Sequence, residues 1–220
     1  MLVIRIVAGV AALLAALFLP AGRLDWPAAW AFLFFFFASL LLLRAWLVRR
    51  NPALLEERLR VAPNVESWDK IVMAIHTVLL FTLLALTALD AGRLRWSSIP
   101  VGVRIAAWVG LALALAVVAW VMSVNPFASR WVRIQHDRGH RVISSGPYRR
   151  VRHPMYVGVI LNLLCLLLAL GSWWGVAPGL ACSTLFIIRT MLEDRALASR
   201  LPGYREYASR VRYRLLPGVW

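Results

Sequence analysis

Residues 154–192 read PMYVGVILNLLCLLLALGSWWGVAPGLACSTLFIIRTML, two apolar runs divided by Gly171-Ser172. A helix needs about 20 apolar residues to cross hydrocarbon about 30 Å thick, and the runs Pro154 to Leu170 and Trp173 to Leu192 come near that length. The Gly-Ser pair between them is a turn signal, so the stretch predicts a tight helical hairpin. His153 lies 18 residues before Gly171 and Arg189 lies 17 after Ser172. With the same rise per residue in both arms, the two polar groups return to about the same depth.

Outward from the hairpin, four longer apolar segments occupy roughly residues 3 to 20, 27 to 48, 70 to 90 and 101 to 124. The chain has 220 residues, 61% of them hydrophobic and 16% charged, with a mean hydropathy of +0.72. That composition excludes a soluble domain and predicts an all-α, polytopic membrane bundle of about five to six spans, with a C-terminal helical hairpin and an interfacial amphipathic tail. Residues 1–130 form the transmembrane scaffold. Residues 131–220 supply a loop, the hairpin and the tail, within a single integrated membrane domain. The first run, Ile4 to Leu19, resembles a signal peptide with Arg5 at its start. Equally apolar runs follow it, so it reads as a retained helix. Cys165 and Cys182 both fall in apolar segments and read as small hydrophobes.

Basic residues set the expected orientation. With the amino terminus inside, 21 Lys and Arg fall on the inner side, against Arg23, Arg93, Arg95 and Arg104 outside. The positive-inside rule then places both termini on the cytoplasmic face of a membrane, expected to be a bacterial inner membrane. The formal charge of +15 is spread over every inner loop. Anionic lipid head groups account for it without nucleic acid. The segment NPALLEERLR, with leucines at 54, 55 and 59 on one side, predicts a short interfacial helix. Leu197, Leu201, Tyr204, Tyr207 and Val211 recur at helical spacing around Pro202-Gly203, predicting two amphipathic pieces on the inner membrane surface.

The polar stretch His140 to Gly158, HRVISSGPYRRVRHPMYVG, runs directly into the hairpin. Polar groups set against a membrane segment are costly unless they serve a purpose, so chemistry is sought there. Gly146-Pro147 marks a turn, and Pro154 suits a first helical position because it needs no amide donor. Arg189 and Glu193 stand four apart on one helix face and can hold a zwitterion between them. Read alone, Arg149, Arg150 and Arg152 also serve as head-group anchors, and Arg189 with Glu193 as an ion pair at a helix end. His76, early in the third span, reads as a residue bonded to a neighbouring helix.

Taken in order, Gln135, HRVI at 140–143, GPY at 146–148, RHPMYVG at 152–158, Arg189 with Glu193, and YREY with LLPG in the tail closely resemble the isoprenylcysteine carboxyl methyltransferase family. The same pattern is similar to that of bacterial phospholipid methyltransferases. The resemblance implies a multi-span membrane enzyme that uses S-adenosylmethionine and methylates an isoprenylcysteine-like or other lipidic or prenylated acceptor. By position it implies that Gln135, His140, Arg141, Val142, Ile143, Tyr148, His153, Pro154, Met155, Tyr156 and Glu193 surround the cofactor. Arg189 would meet the substrate carboxylate, and Arg189 with Glu193 would form the catalytic pair. No metal is implied. A phospholipid or lipid-amine N-methyltransferase is the first alternative. A sterol-type reductase ranks lower because Met155 stands where its motif has Asn, and a membrane scaffold without enzymatic activity ranks lower as well.

Overall fold

The computed structural model describes residues 2–60, 62 and 64–220, and for residues 2, 3 and 5 the backbone alone. Arg5 therefore has no described side chain to test its reading as a basic start. Among the described residues every regular element is helical: α1 (Leu2–Ala21), α2 (Pro27–Arg50), α3 (Pro52–Leu59), α4 (Ser67–Thr87), α5 (Val101–Val124), α6 (Pro154–Leu170), α7 (Val176–Arg200) and α8 (Tyr204–Arg210). A π-helical segment, Ala88–Leu94, prolongs α4, and two short 3-10 turns, His136–Arg138 and Gly146–Arg149, punctuate the loop after α5.

Four helices are long and apolar enough to cross a membrane: Pro27–Arg50, Ser67–Leu94, Val101–Val124 and Val176–Arg200. The protein is an integral membrane protein. Ile6–Ala21 and Pro154–Leu170 are shorter apolar helices. The second arm of the hairpin is longer than its apolar run. It continues through Leu192 to Arg200, where Glu193 accepts from Tyr156 and Asp194 from Tyr204 and Arg214.

The hairpin turns where the sequence places it. Gly171 sits at φ +99 as the C-cap of α6, a left-handed conformation that glycine adopts without a Cβ penalty. The turn is held from outside the hairpin. Asp90, in the π-helical segment, accepts from the Ser97 amide at 2.8 Å and from the Ser172 hydroxyl at 2.5 Å. At the centre α5 packs closely on α6. A Cβ at Gly110 would lie 2.3 Å from Cys165 Sγ, and one at Gly158 would lie 3.0 Å from Val118 and 3.2 Å from the Ala114 carbonyl. Helices approach this closely only where side chains are minimal.

Both peripheral elements are helical and amphipathic, as their spacing predicts. In α3, Leu54 is buried, but Leu59 is exposed and the acidic Glu57 is buried against Arg133 at 2.9 Å. This short helix therefore uses a charged residue as well as its leucines to seat itself on the loop. The amphipathic tail turns its apolar side onto the loop. Leu201, Tyr204 and Tyr207 are buried, packing with Ile134, Val142, Tyr148 and Leu197. Both hydroxyls are bonded there, that of Tyr204 to Asp194 and that of Tyr207 to the Tyr148 carbonyl.

Candidate active site

The loop of residues 125–153 is fixed by many polar contacts. Asn125 donates to the Tyr148 hydroxyl at 2.6 Å, and the Tyr207 hydroxyl donates to the Tyr148 carbonyl at 2.8 Å. Gln135 is fully buried, and its amide nitrogen donates to the Phe127 carbonyl at 2.8 Å. Its backbone N–H donates to His140 Nδ1 at 3.3 Å. That bond needs an unprotonated Nδ1. Burial, with help from His136, Arg133 and Arg138, pushes the imidazole of His140 down to about 4. The His140 ring lies 4.7 Å from that of Phe127. Arg133 joins Glu57 and Asp137, and together with Arg60 it holds the Asp137 carboxyl well below its ordinary range.

His153 is positioned by backbone and side chain together. The amides of Arg152 and His153 donate to the carbonyls of Tyr213 and Arg214 in the tail, at 3.0 and 2.9 Å. His153 Nε2 lies 3.1 Å from Asp194, which also accepts from Tyr204 at 2.7 Å and from Arg214 at 3.0 Å. A carboxylate can only accept, so Nε2 carries the proton. Nδ1 is turned toward Glu193, 4.0 Å away. Arg152 completes this group as an ion-pair partner of Asp194 at 3.4 Å. It is buried, so the head-group reading fits Arg149 and Arg150, which are exposed, and not Arg152.

On the facing arm, Arg189 does not pair with Glu193. Its Nε donates to Asp69 Oδ1 at 2.7 Å, and one Nη donates to Asp69 Oδ2 at 3.1 Å and to the Arg130 carbonyl at 3.0 Å. Asp69, fully buried, also accepts the Val132 amide at 2.8 Å. Glu193 instead accepts from the Tyr156 hydroxyl. The Arg189 guanidinium lies over the Tyr156 ring, 5.3 Å from its centroid, in a cation–π contact.

A cavity of about 320 Å³ joins these groups, a size suited to a small-molecule ligand. Gln135, His140, Arg141, Val142, Ile143, Tyr148, His153, Met155, Tyr156 and Glu193 all line it, as does Arg189. Pro154 does not: it is buried at the start of α6, where it sets the direction of the helix. The cavity also takes residues that the sequence reading passed over, chiefly Arg58, Met73, Asn125, Phe127 and Phe186. His76 lines it too, edge-on to Phe186 with ring centroids 4.9 Å apart. Its Nδ1 makes no hydrogen bond among the described residues, so the expected bond to a neighbouring helix is absent there. Asp69 was legible only as an acid at the start of an apolar helix. Its spacing of seven residues from His76 was the available signal for a polar face.

Loop, hairpin and tail thus close around one cavity, and the segment building most of it has a known relative. Residues 107–199 match the isoprenylcysteine carboxyl methyltransferase (ICMT) family. The ICMT match covers most of α5, the loop, α6 and nearly all of α7, and leaves α1 to α4 outside it. A curated relative is the cobalt-zinc-cadmium resistance protein CzcN of Cupriavidus metallidurans, 39% identical over 80 residues. The aligned stretch is 35% of this chain and 36% of that protein, so the chain spans about a third of the length of the curated relative it matches.

Proposed function

We propose that the protein is a membrane methyltransferase that uses S-adenosylmethionine and acts on a lipidic acceptor. The observation that carries this reading is the convergence of His153, Tyr156, Glu193, Arg189 and the loop of residues 135–148 on one cavity within the segment matched by the ICMT family. The residues present fit such a cofactor. Glu193 offers a carboxylate to an ammonium, while Phe127, Tyr148 and Tyr156 offer ring faces. Arg58, which donates to the Ala128 carbonyl at 2.7 Å, offers a guanidinium to a carboxylate. Burial pulls Arg58 down to about 10, which still leaves it charged at neutral pH. When bound, the cofactor supplies a methyl group on a sulfonium centre.

The chain's own work is then positioning and exclusion of water. An acceptor carboxylate is ionised at pH 7 and needs no general base, so alignment is the main contribution, worth up to about 7–11 kcal/mol in well-oriented systems. In this first reading Arg189 orients an isoprenylcysteine-like carboxylate, for which its other Nη has no hydrogen bond among the described residues. A second reading, N-methylation of a lipid amine, is favoured by one observation. Asp69 already neutralises Arg189 through two hydrogen bonds, which weakens its pull on an anionic acceptor. In either reading the acceptor is reached from the lipid, in a bacterial inner membrane with both termini cytoplasmic.

Methyl-labelled S-adenosylmethionine, supplied to membranes with and without the protein, tests the reading. Label is expected in the lipid-extractable fraction only when the protein is present. Release of that label as methanol in mild alkali identifies a carboxyl ester, and alkali-stable label identifies N-methylation. Label confined to the aqueous fraction contradicts the proposal.

A further inference from the structure

One polar group in the cavity has no part in the proposed cofactor contacts. His76 lies on α4, outside the family-matched segment, and its Nδ1 is buried without a hydrogen bond among the described residues. A buried polar atom left without a partner costs about 1–3 kcal/mol, so such atoms in a cavity wall mark places where a ligand completes the bonding. On α4 the residues 69, 73 and 76 are spaced i, i+4, i+7 and make one stripe. Asp69 ends the stripe at the loop, where it binds Arg189 and the Val132 amide. Met73 and His76 continue it along the cavity wall. At about 1.5 Å per residue, His76 stands roughly 10 Å beyond Asp69 along the helix, toward the hydrocarbon.

The ring packed against His76 is that of Phe186. Phe186 lies between His76 and the Arg189 and Tyr156 groups, with its ring 5.5 Å from that of Tyr156 and 5.8 Å from the guanidinium carbon of Arg189. The cavity therefore runs from a loop end rich in charge to a part inside the helices where, among the described residues, the imidazole of His76 keeps a nitrogen without a partner.

We propose that His76 is a further acceptor-binding residue, holding a heteroatom of the acceptor's head group by a hydrogen bond from the α4 wall, beside Arg189, while the methyl donor occupies the loop end of the cavity. The ligand class is a lipid whose polar head is small enough to enter between α4, α6 and α7 and carries at least one hydrogen-bonding heteroatom. This inference rests on the methyltransferase reading above and adds to it the location of the acceptor. Arg189, tied to Asp69, frames the boundary between the two parts of the cavity.

The test uses the full-length purified protein in detergent or nanodiscs, with methyl-labelled S-adenosylmethionine as donor and solubilised membranes of a host strain lacking the gene as acceptor. His76→Phe keeps the ring volume and removes hydrogen bonding, and His76→Asn keeps a hydrogen-bonding group. For His76→Phe the acceptor concentration giving half-maximal transfer is expected to rise by about tenfold or more, as loss of a buried hydrogen bond predicts. His76→Asn is expected to recover part of that loss. Affinity for S-adenosylhomocysteine, measured by calorimetry, should stay at the parent value in both, and the unfolding temperature should not fall in either. Unchanged acceptor dependence in His76→Phe overturns the inference while leaving the enzyme reading intact. Loss of cofactor-product affinity or of thermal stability in both variants shows a structural histidine and also overturns it. A parent protein that neither binds the cofactor product nor transfers label removes the reading on which the inference rests.

Discussion

Arg189 and Asp69 meet as a two-point pair with both side chains buried. Removing one partner of such a pair strands a charge and typically costs about 3–5 kcal/mol, whereas neutralising both can be nearly without effect. Asp69→Ala is therefore expected to destabilise the protein by that amount in a denaturant titration, with Asp69→Asn combined with Arg189→Gln restoring most of it. The double variant is also the right background for activity, since Arg189→Ala alone mixes folding with catalysis. Loss of methyl transfer with cofactor-product affinity intact is the outcome expected of it.

His140 gives a prediction in pH. Its folded pKa, at about 4, lies below the ordinary value of 6.5, so the unfolded chain binds the extra proton first. Stability from this group is fully present above about pH 6.5 and falls progressively as the pH drops toward 4. His140→Gln should flatten that part of the pH–stability curve. An unchanged curve would remove His140 as its cause.

Among the elements, the α5–α6 pair leaves no room at Gly110. Gly110→Leu forces Cys165 or the helix itself to move, and overpacking of this kind costs about 1–3 kcal/mol. A lowered unfolding temperature with a weakened cavity is expected, because α6 carries Tyr156. The hairpin and its turn were legible in the sequence, since Gly171-Ser172 interrupts a long apolar run and glycine at the end of a helix has few other uses. The partner of Arg189 was not. The pairing with Asp69 spans 120 residues, and no local pattern encodes which acid meets which base at that distance. The nearer acid Glu193 offered the simpler pairing, and Tyr156 claims it instead. The tail was legible as amphipathic, but not what it covers. The bonds from the loop amides to Tyr213 and Arg214 depend on backbone placement, which side-chain periodicity does not report. Truncation after residue 210 removes both acceptors, and reduced S-adenosylhomocysteine affinity with helical content maintained by circular dichroism is expected.

For the molecule as a whole, the distribution of charge predicts a topology. The 21 to 4 asymmetry of basic residues puts the cavity loop on one face and the turn at Gly171-Ser172 on the other. In a variant lacking both native cysteines, a new cysteine replacing exposed Arg95 should react with an impermeant thiol reagent in intact cells. One replacing exposed Arg150 should react only after permeabilisation. The reverse pattern inverts the protein in the membrane. At the same scale, the loop, the hairpin and the tail come from separate stretches of chain yet close one cavity, with α4 supplying a wall from outside the family-matched segment. The binding of a methyl donor there is the central claim, and calorimetric titration of the purified protein with S-adenosylhomocysteine measures it most directly. Saturable one-site binding, weakened by Glu193→Gln and unaffected by Gly9→Ala, is predicted; no saturable heat, or equal affinity in the Glu193 variant, would contradict it.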